Sequence, residues 1–586
     1  MNLKDLIKAA RGDQPADFLF TNARIVNVFS GEIISDHIAV SDGYIIGLGD
    51  YPAHKTIDIK NRFVAPGFID AHVHIESSMV SVSEFAKAVL PRGTTTVVAD
   101  PHEIANVMGV DGIKYMLEAS EKLPMNMFFT LPSCVPATNM ETAGAMLDAE
   151  KLRPFLSRKR IVGLGEMMNF PGVISGDRDV ICKIENTFAH GKPVDGHAPG
   201  LSGKELNAYA ASGVSSDHEC VTPKEAMEKL RAGMYIMIRE GTGAKNLNDL
   251  LPVINPKTAR RIMWCTDDRH PHDICGQGHI DFIIRCAIAY GVDPITAIGI
   301  GTLNPAQYFG LRHLGAIAPG RKADMVVFSD LQHLVAEEVY AGGNLVASGG
   351  QMNPDVELEV EPKVKPKVKP ELKTDKSQAC LSTMHVKDKQ VDFTILTQKK
   401  QIRVIELVAD QIFTRQLITD AVVENNFAVS DTSKDILKIA VIERHKGTGN
   451  VGRGFIKGVG LKQGAIASSV AHDSHNIIVV GVNDDDMAVA VKRIIELNGG
   501  LVAVKDQKVA AGLALPIAGL MSPDPLKAVR NQMDQLINAA HEFGAIIPDP
   551  FMILSFLALP VIPELKLTDL GLFDVLKFKH VSLFVD

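Results

Sequence analysis

The chain has 586 residues, more than one hydrophobic core normally organises, so about two to four domains are expected. Apolar residues make up 46% and charged residues 22%, which excludes intrinsic disorder for most of the chain. A net charge of -8 excludes a nucleic-acid binder driven by phosphate contacts.

The N-terminus, M-N-L-K-D-L-I-K-A-A-R-G-D, has no apolar core of a secretory signal. Residues 17–63 alternate apolar and polar side chains around turn signals and predict a small antiparallel sheet. From residue 64 to about 310, strand-like runs alternate with amphipathic helical runs. The predicted strands are 64–75, 94–100, 127–135, 161–168, 193–197, 214–218, 235–239 and 262–268. Helical patterns fall between them, for example 82–90, 111–122, 177–189 and 203–212. Eight strand–helix units over roughly 250 residues match a (β/α)8 TIM-like barrel. A doubly wound open sheet is the competing fold, weakened because no G-x-G-x-x-G follows the first strand.

Residues 314–350 return to short strands that could complete the first small sheet. The expected division is a small β-sandwich from 1–63 and 311–352, a catalytic barrel at 64–310, a charged linker at 353–384 and a C-terminal α/β (α+β) domain at 385–586. The linker contains E-P-K-V-K-P-K-V-K-P-E-L-K, a composition that favours an extended, solvated segment. In the last domain, 402–408 and 436–443 read as strands, 484–497 and 525–543 as helices. The apolar stretch 551–562 is too short to span a bilayer and contains Pro560, so no membrane partner is expected. Seven cysteines with no C-x-x-C pair suit a reducing cytoplasm and neither a disulfide framework nor a structural zinc site.

Ionisable residues recur at the C-terminal ends of the predicted barrel strands, where a barrel builds its active site. The first strand ends D-A-H-V-H, and residues two apart on a strand share a face, so His72 and His74 present two imidazoles together. Alone, an H-x-H pair could equally be two partly buried histidines. Strand two ends with His102 and Glu103, strand four with Glu166, strand five with His197, strand six with His218, and strand eight with Asp267 and Asp268. Core packing does not explain so many ionisable groups, which are rarely buried unless paired or bound to metal.

These stretches resemble the amidohydrolase superfamily. The A-P-G-F-I-D-A-H-V-H strand, the later single histidines, the strand-eight aspartate and A-P-G-R-K-A-D-M-V-V-F carry the likeness. Within it, H-V-H-I-E-S-S-M, A-D-P-H-E-I-A-N-V, G-E-M-M-N and C-T-D-D-R-H-P are similar to the adenine deaminase family, as is the C-terminal G-V-G-L-K-Q-G-A-I-A-S-S-V-A-H-D-S-H-N. The resemblance implies hydrolytic deamination of adenine to hypoxanthine and ammonia in purine salvage. It also implies a divalent metal centre of two Mn2+ (or Fe2+, with Zn2+ open), a cytoplasmic homo-oligomer (dimer or tetramer), and no nucleic-acid partner. On this likeness His72 and His74 match one metal's ligands, and His197 and His218 the other's. Asp267 matches the aspartate that binds metal and moves protons. Glu166 stands where many relatives carry a carboxylated lysine, and is open as metal bridge or as the acid that protonates the purine. His102 and Glu103 are further candidates for acid, base or metal ligand. One carboxyl group with a raised pKa is expected as that acid. Other substrates, a cyclic amide or a different nucleobase, stay open, as does a non-catalytic scaffold.

Weaker signals are His472 and His475, three apart in a loop that either reaches a barrel mouth or is a hydrogen-bonded turn, and His270 and His272, read as a solvated loop. Trp264, Met167, Met168 and Cys265 read as packing residues.

Overall fold

The alternating hydrophobicity of the N-terminal segment produces long paired strands. The computed structural model describes residues 3–356, 382–387, 391–397, 399–408, 411 and 413–585. Ala16–Asn27 pairs antiparallel with Glu32–Ser41, which pairs with Tyr44–Leu48. The second of these hairpins closes on Asp42 and Gly43, whose φ values of 49° and 78° are what a two-residue hairpin turn demands. Ala53–Asp58 and Phe63–Pro66 join the first strand in parallel, so the sheet is mixed and not antiparallel throughout.

Phe63–Pro66 then pairs with Met325–Phe328, in register from Phe328↔Phe63 to Met325↔Pro66. Glu338–Ala341, Asn344–Ser348 and Gln351–Met352 complete a nine-stranded sheet built from both flanks of the barrel. Eight of its strands follow one hydrogen-bonded order, and Ala53–Asp58 joins off that path through Ala16–Asn27. Phe20, Ile38, Val40, Ile45, Val64, Met325 and Val327 form its core on one side.

The predicted strand 64–75 is therefore two strands in two sheets, separated at Gly67. A Cβ on Gly67 would lie 2.0 Å from Thr95 Oγ1, so only glycine lets the chain pass there. The barrel follows. Phe68–Val73, Thr94–Ala99, Asn126–Leu131, Ile161–Met167 and Val194–Gly196 form one parallel arc. Ser216–Asp217, Tyr235–Arg239 and Ile262–Cys265 form a second. Parallel bridges Val194↔Val214 and Val73↔Asp267 join the arcs at both seams. Helices such as Val82–Val89, Val110–Ala119, Arg178–Ala189 and Gly203–Ala211 follow the strands, giving a TIM-barrel-like fold. Trp264 is a packing residue: it is fully buried, and its Nε1 donates to Ala297 O at 2.9 Å.

The linker residues 357–381, and Cys380 with them, lie outside the described residues. Beyond them an eight-stranded sheet carries Ile436–Ile442 at its centre, with helices Asp484–Glu496 and Leu526–Glu542. Its apolar core is continuous with that of the barrel: Val529, Met533, Leu520 and Met521 belong to the same buried cluster as Val82 and Phe85. Backbone hydrogen bonds also cross, from Ser81 N to Ser522 O and from Ser522 N to Met79 O, both 2.8 Å. Among the described residues, no helix is long and apolar enough to cross a membrane.

Candidate metal centre

The first barrel strand sets the geometry. His72 and His74 emerge on one face, and their Nε2 atoms are 3.2 Å apart. His74 Nδ1 donates to the carbonyl of Asp100 at 2.9 Å, which fixes its tautomer and leaves the Nε2 lone pair pointing inward. That lone pair faces Asp267 Oδ1 at 3.1 Å and Glu166 Oε1 at 3.2 Å. Lone pairs and carboxylate oxygens converging in a buried space repel unless a positive charge lies between them. Burial and the neighbouring His102 would lower His74, yet the two carboxylates push it well above the ordinary histidine range. A divalent cation answers the same field, so the donor set fits a metal.

Glu166 completes a second half. Its Oε2 lies 2.6 Å from His197 Nδ1 and 3.3 Å from His218 Nε2. His218 Nε2 is buried without a hydrogen bond, as a ligand atom should be. One carboxylate thus stands between two histidine pairs, and two of the three-residue ligand sets it joins are His72–His74–Glu166 and Glu166–His197–His218. Burial would raise Glu166, but the charge of His218 and the close imidazoles of His102 and His197 hold it well below the carboxylate range. Its backbone N–H donates to Asp100 Oδ2 at 3.1 Å, which fixes the strand end.

Asp267 adopts a positive φ of 57° just past its strand. Its Oδ2 accepts from Arg239 Nη1 at 2.9 Å, while Oδ1 faces the His72–His74 pair. Burial would raise it, but His72, His74, His218 and Arg239 keep it well below the carboxylate range. Asp268 accepts instead from Ser77 Oγ. Arg239 also pairs with Glu219, with Nη2 3.0 Å from Oε2.

His102 and Glu103 stand beside this group. His102 Nδ1 is 3.2 Å from Glu166 Oε1, and its Nε2 is 3.3 Å from Glu103 Oε1. The structure therefore brings together every site residue read from the sequence. Glu166 is held low, as is Glu103, whereas burial raises two carboxyls beside them, Glu76 to about 7 and Asp473 to about 6. Burial would raise Glu103, but His472, His102 and His475 hold it well below the carboxylate range. His270 is not solvated as expected; it is buried, 3.8 Å from Asp549, whereas His272 is exposed.

Asp100, Glu219 and Arg239 were missed. The signal was present for two of them: Glu219 follows His218 directly, and Arg239 ends the seventh strand, which like the third gave no polar end. Asp100 precedes the proline of A-D-P-H-E, and only its contacts mark it.

Histidines and carboxylates thus converge at the strand ends of a TIM-barrel-like fold as a donor set that fits a divalent metal. The amidohydrolase family matches residues 63–391, and the adenine deaminase C-terminal domain matches residues 411–579. The chain is 54% identical to an adenine deaminase of Desulfatibacillum aliphaticivorans over 584 residues, 99% of each chain. It is 48% identical to an adenine deaminase of Kosmotoga olearia over 587 residues, 100% of this chain and 99% of the other. A beta-aspartyl dipeptidase structure from Fervidobacterium islandicum AW-1 aligns at 16% identity with a TM-score of 0.45, covering 58% of this chain and 100% of that one. The chain belongs to the adenine deaminase family of amidohydrolases.

Proposed function

We propose that the chain hydrolyses adenine to hypoxanthine and ammonia at this centre. The observation that carries the reading is Glu166 set between two histidine pairs, with Asp267 against one of them. Water adds at C6 of the purine, the C6–N bond breaks, and ammonia leaves. A divalent cation bound here supplies the Lewis acidity that lets water attack carbon near neutral pH. His72, His74 and Asp267 would hold one ion, and His197 and His218 a second, with Glu166 shared. Nitrogen and carboxylate oxygen donors without thiolates suit manganese or iron as well as zinc, and two manganese ions are proposed. In this reading the eight strands form a (β/α)8 barrel whose mouth is the site.

The protein's own groups divide the proton work. Asp267, oriented by Arg239 through Oδ2, turns Oδ1 toward the His72–His74 pair, where it would take the attacking water's proton and pass it to the departing nitrogen. Glu166 has both oxygens engaged by histidines, which supports its role as a ligand over that of the acid. His102, whose Nε2 faces Glu103 at 3.3 Å, is then placed to move a proton to the ring nitrogen N1. The six described cysteines are unpaired, which supports a reducing, cytoplasmic location.

The test is to load the protein with manganese and follow the adenine-to-hypoxanthine absorbance change. Turnover is expected. No reaction with adenine, but turnover of a cyclic amide, overturns the reading.

A further inference from the structure

We propose that His472 and His475 of the C-terminal domain are positioning residues for Glu103, so that this domain completes the reacting site in the barrel. The inference rests on the adenine-hydrolysing reading above. The two histidines lie in a loop between strands Ala465–Ser468 and Ile477–Gly481. Glu103 lies in the first turn of the helix that follows the second barrel strand, 369 residues away from His472 in sequence. In the fold they meet. His472 Nδ1 is 2.6 Å from Glu103 Oε1, and His475 Nε2 contacts Glu103 Oε2. All three side chains are buried, at 2% for Glu103, 5% for His472 and 1% for His475.

The spacing of the three groups would also suit a cation. The hydrogen bonding of His475 decides against it. The backbone N–H of Ala471 donates to His475 Nδ1 at 3.1 Å, so that nitrogen carries the lone pair. The ring proton of neutral His475 is then on Nε2, which donates to Glu103 and has no lone pair for a metal. The loop itself is held rigidly. His475 N–H donates to Ala471 O at 2.7 Å, and His472 N–H donates to Ser555 O at 2.8 Å. The His472 ring stacks on Phe556 with centroids 4.8 Å apart. Asn476 Nδ2 donates to the barrel carbonyl of Thr142 at 2.8 Å.

The chain of contacts continues inward from Glu103 to His102 at 3.3 Å, and from His102 to Glu166 at 3.2 Å. Each Glu103 oxygen is thus claimed by one histidine of the other domain, which fixes the carboxylate plane relative to His102. The loop orients a carboxylate that orients an imidazole touching the shared ligand.

The test uses the full chain loaded with manganese and assays adenine deamination. H475F is expected to lower kcat by about 10–100-fold, the usual cost of losing an outer hydrogen-bond partner of a metal site. KM should stay within about threefold. H475Q, whose amide N–H can reach the same oxygen, should recover most of the rate, and H475N, one methylene shorter, should not. In an E103Q background H475F should add almost no further loss, because both changes cut one linkage. A wild-type rate for H475F, or losses that multiply in the double variant, overturns the inference. So does the loss of one metal equivalent in H475F, which would make the cluster a cation site. If H475F fails to fold, the H475Q and H475N pair decides. Inactivity of the unaltered protein on adenine counts instead against the parent reading.

Discussion

Arg239 Nη1 donates to Asp267 Oδ2 at 2.9 Å, and this one contact sorts the two oxygens of Asp267 into a held one and a reactive one. The guanidinium is buried and also neutralises Glu219. Removing it takes the cation from the buried Asp267 and the partly buried Glu219. Arg239→Leu should therefore cost about 3–5 kcal/mol, seen as a lower Tm, and most of the activity. A variant as stable and active as the parent would show that Asp267 needs no such partner.

Asp267 and Asp268 are adjacent, but only the first faces the histidines. Asp267→Asn should lower kcat by about 10²–10⁴-fold, because the amide cannot accept the proton. Asp268→Asn, which keeps an acceptor for Ser77, should retain activity within about tenfold. Steady-state kinetics on the two variants separates them, and the reverse order of losses would reassign the strand-eight aspartate.

A Cβ on Gly165 would lie 1.9 Å from Asp100 Oδ2, the oxygen that accepts the Glu166 backbone N–H. Gly165→Ala must displace Asp100 and with it the end of the strand carrying Glu166. The expected cost is about 1–3 kcal/mol in stability together with weakened metal retention, measured by metal content after dialysis. Full retention with an unchanged Tm would show that the strand end yields freely.

These three cases show what could be read from the sequence. The barrel strands were legible because apolar runs alternate with helical patterns, most of them stopping at a polar group, as at His74, Glu166 and Asp267. The ligand histidines were legible because imidazole at a strand end has few structural uses. Arg239 also stands at a strand end, but an arginine fits no ligand pattern although it shapes the carboxylate that does. The meeting of Glu103 with His472 and His475 was out of reach, because no local pattern records a contact between domains so distant in the chain. The shared core of barrel and C-terminal domain was hidden for the same reason: Val529 and Phe85 each look like ordinary amphipathic helix residues.

Lys566 supplies a pH test away from the metal centre. It is buried, and burial pulls its pKa down to about 7, although its Nζ donates to Phe556 O at 3.1 Å. The unfolded chain holds that proton up to about pH 10.4. Between these values the unfolded state binds more protons, so this group's contribution is present above about pH 10.4 and is lost as pH falls through about 7. Lys566→Met should melt above the parent at pH near 7, with the gap narrowing as pH rises toward 10. A gap that is constant with pH would mean that the lysine is not the source.

The most direct measurement is product analysis with the manganese-loaded protein in heavy-oxygen water. The account predicts equal amounts of ammonia and hypoxanthine from adenine, with solvent oxygen at C6. It also predicts loss of both products after chelation or in Asp267→Asn. Ammonia release that survives chelation and the Asp267 variant, or adenine left unchanged by the loaded protein, would contradict it.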